Sequence, residues 1–261
     1  MFNLSIKKYL ILTLIIALST IQKNSSTIII SIPKTGTFLL EKAFRNITLG
    51  HNYTHENSIK LNIDHTLYGI SLENLDTATN LADNSFLVSH LNYTKNYEQF
   101  LYNKKTTILY NIRDPRDQVV SFAYWKKNRP ENYPKFIGQS FDEILIDHIK
   151  NIYNWYNLWL PWISYPLALL IRFEDLVGEN GGGSYEKQLD TIKKIAQHVK
   201  IELTDKRAEE IAETLFGDTT TFREGQIGSW KKHFTQEQKE LFKKHGGELL
   251  IQLGYEEDLN W

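Results

Sequence analysis

The chain has 261 residues, 41% of them hydrophobic, enough to bury one sizeable core, and a single α/β domain is the expectation at this length. Its 30 basic and 31 acidic residues leave a net charge of −1, which excludes a global field drawing it to nucleic acid, so any bound anion must be held by local groups. Cysteine is absent, and disulfides, thiolate nucleophiles and Cys-ligated metals are excluded with it.

At the amino terminus Lys7-Lys8 precede the apolar run Tyr9 to Leu18, a basic segment followed by a short hydrophobic one. The run is short for a membrane span and no small-x-small cleavage site follows it. Residues 1–24 are therefore open to three readings: an export leader, an anchor that associates with a membrane through residues 9–21, or an extra element of the fold. Residues 25–261 are expected to form one domain. A cytoplasmic location fits the absence of cysteine, and the leader keeps membrane association and export open.

The β-branched run Thr27-Ile28-Ile29-Ile30-Ser31 predicts a first strand over 27–32. It stops at Pro33-Lys34 and turns through Thr35-Gly36-Thr37 into the helical Leu39 to Arg45, which aims backbone N–H groups and an ammonium at one point, a socket for an anion. A Walker A loop places its lysine after the last glycine, whereas Lys34 precedes the only glycine here. An ordinary strand-turn-helix with a surface lysine is the competing reading. Residues 51–85 are polar and weakly periodic, a long excursion of the kind that carries specificity.

A second strand over 86–89 ends at His90, which by itself reads as structural or solvent-facing. A third strand over 106–112 ends at Arg113. Asp114 can then cap a helix, Pro115 suits its first position and Asp117 stands where a capping box places its acid. Arg113 projects at the carboxyl edge of the sheet, and Ser121, two turns into the helix, adds a hydroxyl; together they suit a phosphate monoester. The alternative is that Arg113 pairs with Asp114 or Asp117 in a structural cap.

Phe141 to Tyr156 show helical spacing that ends near Pro161, with an aromatic stripe assigned to the core. A fourth strand over 167–172 leads into Arg172-Phe173-Glu174-Asp175-Leu176. The tract Asn180 to Ser184 reads as a flexible connection before a helix over 185–200. Near the carboxyl end, Gly225 and Gly228 mark a loop that approaches something closely, with Arg223 at its start. Short apolar strands alternating with helices predict a doubly wound sandwich.

The turn Pro33-Lys34-Thr35-Gly36-Thr37-Phe38-Leu39 resembles the 5′-phosphosulfate loop of the sulfotransferase family, and Arg113-Asp114-Pro115-Arg116-Asp117 with Ser121 is similar to its 3′-phosphate motif. Phe222 to Phe234 resembles the family's F-R-K-G-x-x-G-x-W-K-x-x-F signature, Ser89-His90-Leu91 its T-H-L element, and Arg172 to Leu176 its R-Y-E-D segment. The motifs run in the family's order. The resemblance implies a P-loop-like three-layer sandwich with a central parallel sheet and helices on both faces. It also implies a transferase moving a sulfuryl group from 3′-phosphoadenosine 5′-phosphosulfate (PAPS) to a hydroxyl or amine, with 3′,5′-adenosine bisphosphate (PAP) as product and no metal. The acceptor class, a small molecule, lipid or glycan, is not specified.

Carried over residue by residue, the resemblance gives Lys34, Thr35, Gly36, Thr37 and Phe38 to the 5′-phosphosulfate, with Lys34 also catalytic. Arg113, Ser121, Arg223 and Gly225 go to the 3′-phosphate, Phe173 to the nucleotide, Trp230 to adenine stacking, and His90 becomes the base. Departures from the pattern are Glu224 for a lysine, Phe173 for a tyrosine, Asn92 for the proline after the histidine element and Leu39 for a tryptophan. Gln236 replaces the valine of a dimerisation stretch spanning Lys231, Thr235 and Glu240, which makes that homodimer doubtful. Two competing readings remain: a P-loop-type phosphoryl transferase, and a nucleotide-binding module without turnover.

Overall fold

The computed structural model describes residues 26–50, 75–76, 86–219 and 222–261. The leader, its membrane association through residues 9–21 and nearly all of the 51–85 excursion lie outside the described residues. Four parallel strands form the sheet: β1 (Thr27–Ser31), β2 (Phe86–Ser89), β3 (Thr107–Ile112) and β4 (Ala168–Arg172), in the order β2-β1-β3-β4. Each falls within a residue of its expected bounds. In register, Ile29 lies beside Val88 on one flank and Leu109 on the other, and Leu109 lies beside Leu169.

The two-residue period of a strand splits the sheet's side chains between two cores. Ile28, Ile30, Ile108 and Tyr110 face a layer made by α3 (Pro115–Lys127), α4 (Phe141–Asn157) and α8 (Gln236–Gln252), where they meet Val119, Ile149 and Leu249. Ile29, Leu109 and Ile171 face the other layer. There α1 (Thr37–Thr48), α6 (Tyr185–His198) and α7 (Asp205–Leu215) supply Phe44, Ile192 and Ile211. Two further α-helices are α2 (Lys95–Asn103) and the single turn α5 (Phe173–Leu176).

The fold is therefore the expected three-layer α/β sandwich. Among the described residues no helix is long and apolar enough to cross a membrane.

Two local expectations are corrected. Asp114 caps α3 by accepting from the Arg116 N–H, but Asp117 is not spent on that cap. The glycine tract is not a loose linker either: the Ile227 N–H donates to the Gly181 carbonyl at 2.9 Å, and a Cβ on Gly181 would stand 2.3 Å from Val177 and 2.7 Å from the Gly225 carbonyl. The missing side chain lets that backbone pack against the 225–227 loop.

Candidate functional site

The carboxyl ends of β1 and β3 are neighbours, and the turns that leave them are tied together. Thr35 is fully buried; its hydroxyl donates to the Ile32 carbonyl at 2.7 Å, and Asn111 Nδ2 donates to the Thr35 carbonyl at 2.7 Å. Gln118 Nε2 on α3 donates to the Pro33 carbonyl at 2.8 Å. Within that frame Lys34 takes the left-handed conformation, φ 73°, and Gly36 follows at φ 100°. A Cβ on Gly36 would stand 2.6 Å from the Phe173 ring, so only glycine brings the turn this close to α5.

Helix α1 starts with no capping side chain and no acid in its first turn. The positive end of its dipole, with the Thr37 N–H, suits a bound anion. The N–H of Thr35 instead donates to the Ile32 carbonyl, and those of Leu39 and Leu40 to the Gly36 carbonyl.

One cavity gathers the residues singled out from three separate motifs: Lys34, Gly36, Thr37 and Phe38 from the first turn, Arg113 and Ser121 from the β3–α3 junction, Arg223 and Gly225 from the late loop, with Phe173 and His90. Arg113 is 7% exposed; it donates to the Gln226 carbonyl at 2.8 Å, lies 4.2 Å over the Phe173 ring and stands 3.8 Å from Asp117. Its Nε and that of Arg223 are buried with no partner. Two guanidiniums with unsatisfied donors at one cavity are what a phosphate monoester would complete.

The late loop reaches this place through Asp117. Its fully buried carboxylate accepts from the Gly228 N–H (2.8 Å), the Ser229 hydroxyl (3.0 Å) and the Trp230 N–H (2.8 Å). Burial raises the Asp117 pKa, with Arg113 and these hydrogen bonds opposing.

Charge in the cavity is unbalanced toward the positive. Burial holds Lys34 down to about 7, and the guanidiniums of Arg129, Arg113 and Arg223 push in the same direction. Its ammonium rests 4.0 Å over the Trp125 ring. The two carboxylates of the wall are already engaged, Glu41 by Arg45 at 2.7 Å and Glu224 by an ion pair with Arg223.

His90 Nδ1 lies 2.7 Å from the Ser31 carbonyl, an oxygen that can only accept. Nδ1 therefore carries the hydrogen, and the lone pair sits on Nε2. The Ser31 hydroxyl in turn meets the Thr37 hydroxyl at 2.7 Å, so the histidine and the first turn share one polar chain.

Thr35 and Trp230 do not line this cavity. Trp230 is 6% exposed, edge-on to Trp261 and Phe234 at 5.5 Å each, with the Arg116 guanidinium 4.4 Å from its ring. Trp230, to which the resemblance assigns adenine stacking, thus stands among core residues and not in this cavity's wall.

Aromatic rings that do line the cavity are Phe122, Trp125, Tyr133, Phe216 and Phe222. Of these, Phe222 opens the late motif that the sequence singled out. For Trp125 a signal existed, since it follows Ser121 by four residues on one helix and so shares its face. Phe216 follows the end of its helix at Leu215, and its place is set by packing against Phe222. Among the described residues no group of three or more histidines and carboxylates could hold a metal ion.

The family model of the sulfotransferase domain matches residues 24–254. Among curated proteins, sulfotransferase 6B1 of Danio rerio is 26% identical over 196 residues, 65% of this chain and 62% of its own length. Sulfotransferase 6B1 of Mus musculus is 29% identical over 182 residues, 60% of this chain and 56% of its own length. The chain thus aligns with less than two thirds of either relative. Among solved structures, the mouse sulfotransferase SULT7A1 complexed with PAP superposes with a TM-score of 0.64 at 19% identity, covering 90% of this chain and 89% of its own. Retinol dehydratase in complex with androsterone and the inactive cofactor PAP gives 0.57 at 15% identity, covering 88% and 81%.

Proposed function

The chain belongs to the sulfotransferase family, and from that premise we propose that it transfers a sulfuryl group from PAPS to a hydroxyl or amine of a small-molecule acceptor by in-line displacement. The observation that carries this reading is the convergence of the 34–37 turn, Arg113 with Ser121, Arg223 with Gly225, and His90 on one cavity. The nucleotide supplies an activated sulfuryl group on a phosphate leaving group.

Lys34 and the N–H groups of Thr37 and Phe38 hold that phosphate and stabilise the charge that builds on its bridging oxygen. Arg113, Ser121, Arg223 and Gly225 hold the 3′-phosphate; the unpartnered Nε atoms of both arginines support this assignment. Phe173 and Phe216 are the rings suited to the base, in place of Trp230. His90, its Nδ1 hydrogen committed to the Ser31 carbonyl, takes the acceptor proton at Nε2, a role worth about 10²–10⁴-fold in rate. Neighbouring structures hold PAP, androsterone and retinol, which supports a nucleotide beside an apolar small molecule.

The test combines calorimetry with transfer of labelled sulfate to a panel of alcohols, phenols and amines. His90→Ala is expected to bind PAP and to lose turnover at least a hundredfold. Arg113→Ala is expected to lose PAP affinity. Turnover retained in His90→Ala would remove it from the base role. The ion pair between Glu224 and Arg223 favours a second reading, a nucleotide-binding module without turnover, which predicts PAP binding with no transfer to any panel member.

A further inference from the structure

We propose, resting on the PAPS-binding reading above, that residues 255–261 form a strap behind the 3′-phosphate site. Tyr255, Glu256 and Trp261 are its positioning residues: they set the affinity for a 3′-phosphorylated nucleotide without touching it, since none of them lines the cavity. The site has two halves far apart in sequence, Arg113 at the β3–α3 junction and Arg223 with Gly225 on the late loop. A phosphate is gripped by both only while both stand within hydrogen-bond reach at once, so whatever fixes their separation sets affinity.

Tyr255 acts on the Arg113 half. Its hydroxyl donates to one oxygen of Glu174 at 3.0 Å, and the other oxygen of that carboxylate accepts from the Asp114 N–H at 2.8 Å. Asp114 follows Arg113, and Glu174 follows Phe173, the cavity ring over which the Arg113 guanidinium lies. One carboxylate thus ties the α5 turn to the β3–α3 junction, and Tyr255 holds that carboxylate.

Glu256 and Trp261 act on the late loop through Arg116. That arginine is 4% exposed; it donates to Asp114 at 2.8 Å and, through Nη1, to Glu256 at 2.5 Å. Its guanidinium stands in the angle between two indoles, 4.4 Å from Trp230 and 4.5 Å from Trp261, whose rings meet edge-on at 5.5 Å. Trp230 is the residue whose N–H is latched to Asp117, five positions after Gly225. Trp261 is backed in turn by Phe242 of α8 at 6.2 Å. The ties are directional, a charge-assisted hydrogen bond and a cation held between aromatic rings. Among the described residues no hydrogen bond, ion pair or ring contact joins the strap to the 34–37 turn, so its effect belongs to the 3′ end of the nucleotide.

Calorimetry with PAP and with adenosine 5′-monophosphate, which lacks the 3′-phosphate, tests this in the full chain and in Trp261→Ala, Trp261→Phe, Glu256→Gln and Tyr255→Phe. Trp261→Ala is expected to lower PAP affinity about five- to tenfold and to leave adenosine 5′-monophosphate within about twofold, and Trp261→Phe, which keeps a ring beside Arg116, to recover most of the loss. Glu256→Gln and Tyr255→Phe each change a single group and are expected to lower PAP affinity about threefold with the same selectivity. A merely structural role would weaken both nucleotides alike. Equal losses on the two nucleotides, or an unchanged PAP affinity in the folded variants, overturns the proposal; if Trp261→Ala does not fold, the other three variants decide it. A full chain that binds both nucleotides equally overturns the 3′-phosphate assignment and this inference with it. Unchanged variants beside a full chain that prefers PAP overturn this inference alone.

Discussion

Glu224 stands where the resembled signature has a lysine, beside the residues proposed for the 3′-phosphate. Its direction could not be read from the sequence: a carboxylate there either repels the 3′-phosphate or turns away. In the fold it turns onto Arg223, with the Arg223 guanidinium 4.3 Å over the Tyr124 ring, and its second oxygen is buried without a partner. The carboxylate thus occupies a donor of the arginine that the phosphate is expected to need, and binding has to break that pair. Glu224→Gln removes the charge and keeps the shape. PAP affinity by calorimetry is expected to rise about five- to tenfold, about 1 kcal/mol at a partly exposed pair. An affinity unchanged or weakened would mean the carboxylate orients Arg223 instead of competing for it.

At the level of elements, strands and helix starts were legible because each is written locally. β-branched runs set β1 and β3, and Asp114-Pro115 sets the start of α3. Their mutual placement was not, because it depends on partners distant in sequence. Asp117 looked like a local cap, yet its three donors lie 111 to 113 residues away and bind the late loop to α3. The glycine tract at 180–184 was misread for the same reason: its close approach to Gly225 is invisible until both are folded.

The latch makes a specific demand. Asp117→Ala strands the Gly228 and Trp230 N–H groups and the Ser229 hydroxyl beside an unopposed Arg113, and such buried losses cost about 3–5 kcal/mol. Chemical denaturation should register that loss. Asp117→Asn, which keeps one acceptor oxygen, is expected to fold and still to lose PAP affinity more than tenfold as Arg223 and Gly225 lose their position. Wild-type affinity in a folded Asp117→Asn would show that the late loop is held by other contacts.

For the whole molecule, the strand order β2-β1-β3-β4 means the chain leaves β1 to one side for β2 and returns to the other side for β3. The crevice at such a reversal is where open α/β sheets bind ligands, and the turns of Lys34 and Arg113 leave from the two strands that flank it. A ligand in the cavity would touch α1, α3 and the late loop, and so both core layers. PAP at about a hundred times its Kd should therefore stabilise the protein by about 2.7 kcal/mol, a rise in melting temperature of roughly 5–10 °C.

The sign of its pH dependence follows from Lys34. Burial holds the ammonium near 7, and phosphate contact would raise that value, so binding above pH 7 must take up a proton. At a fixed PAP concentration the shift in melting temperature should hold below pH 7 and shrink as the pH rises to 9. Lys34→Met should give a smaller shift with no such slope. The shift should be the same with EDTA or magnesium, and ATP with magnesium should not reproduce it. A shift that grows with pH, or one that requires magnesium, would point away from a lysine-held phosphosulfate and toward phosphoryl transfer.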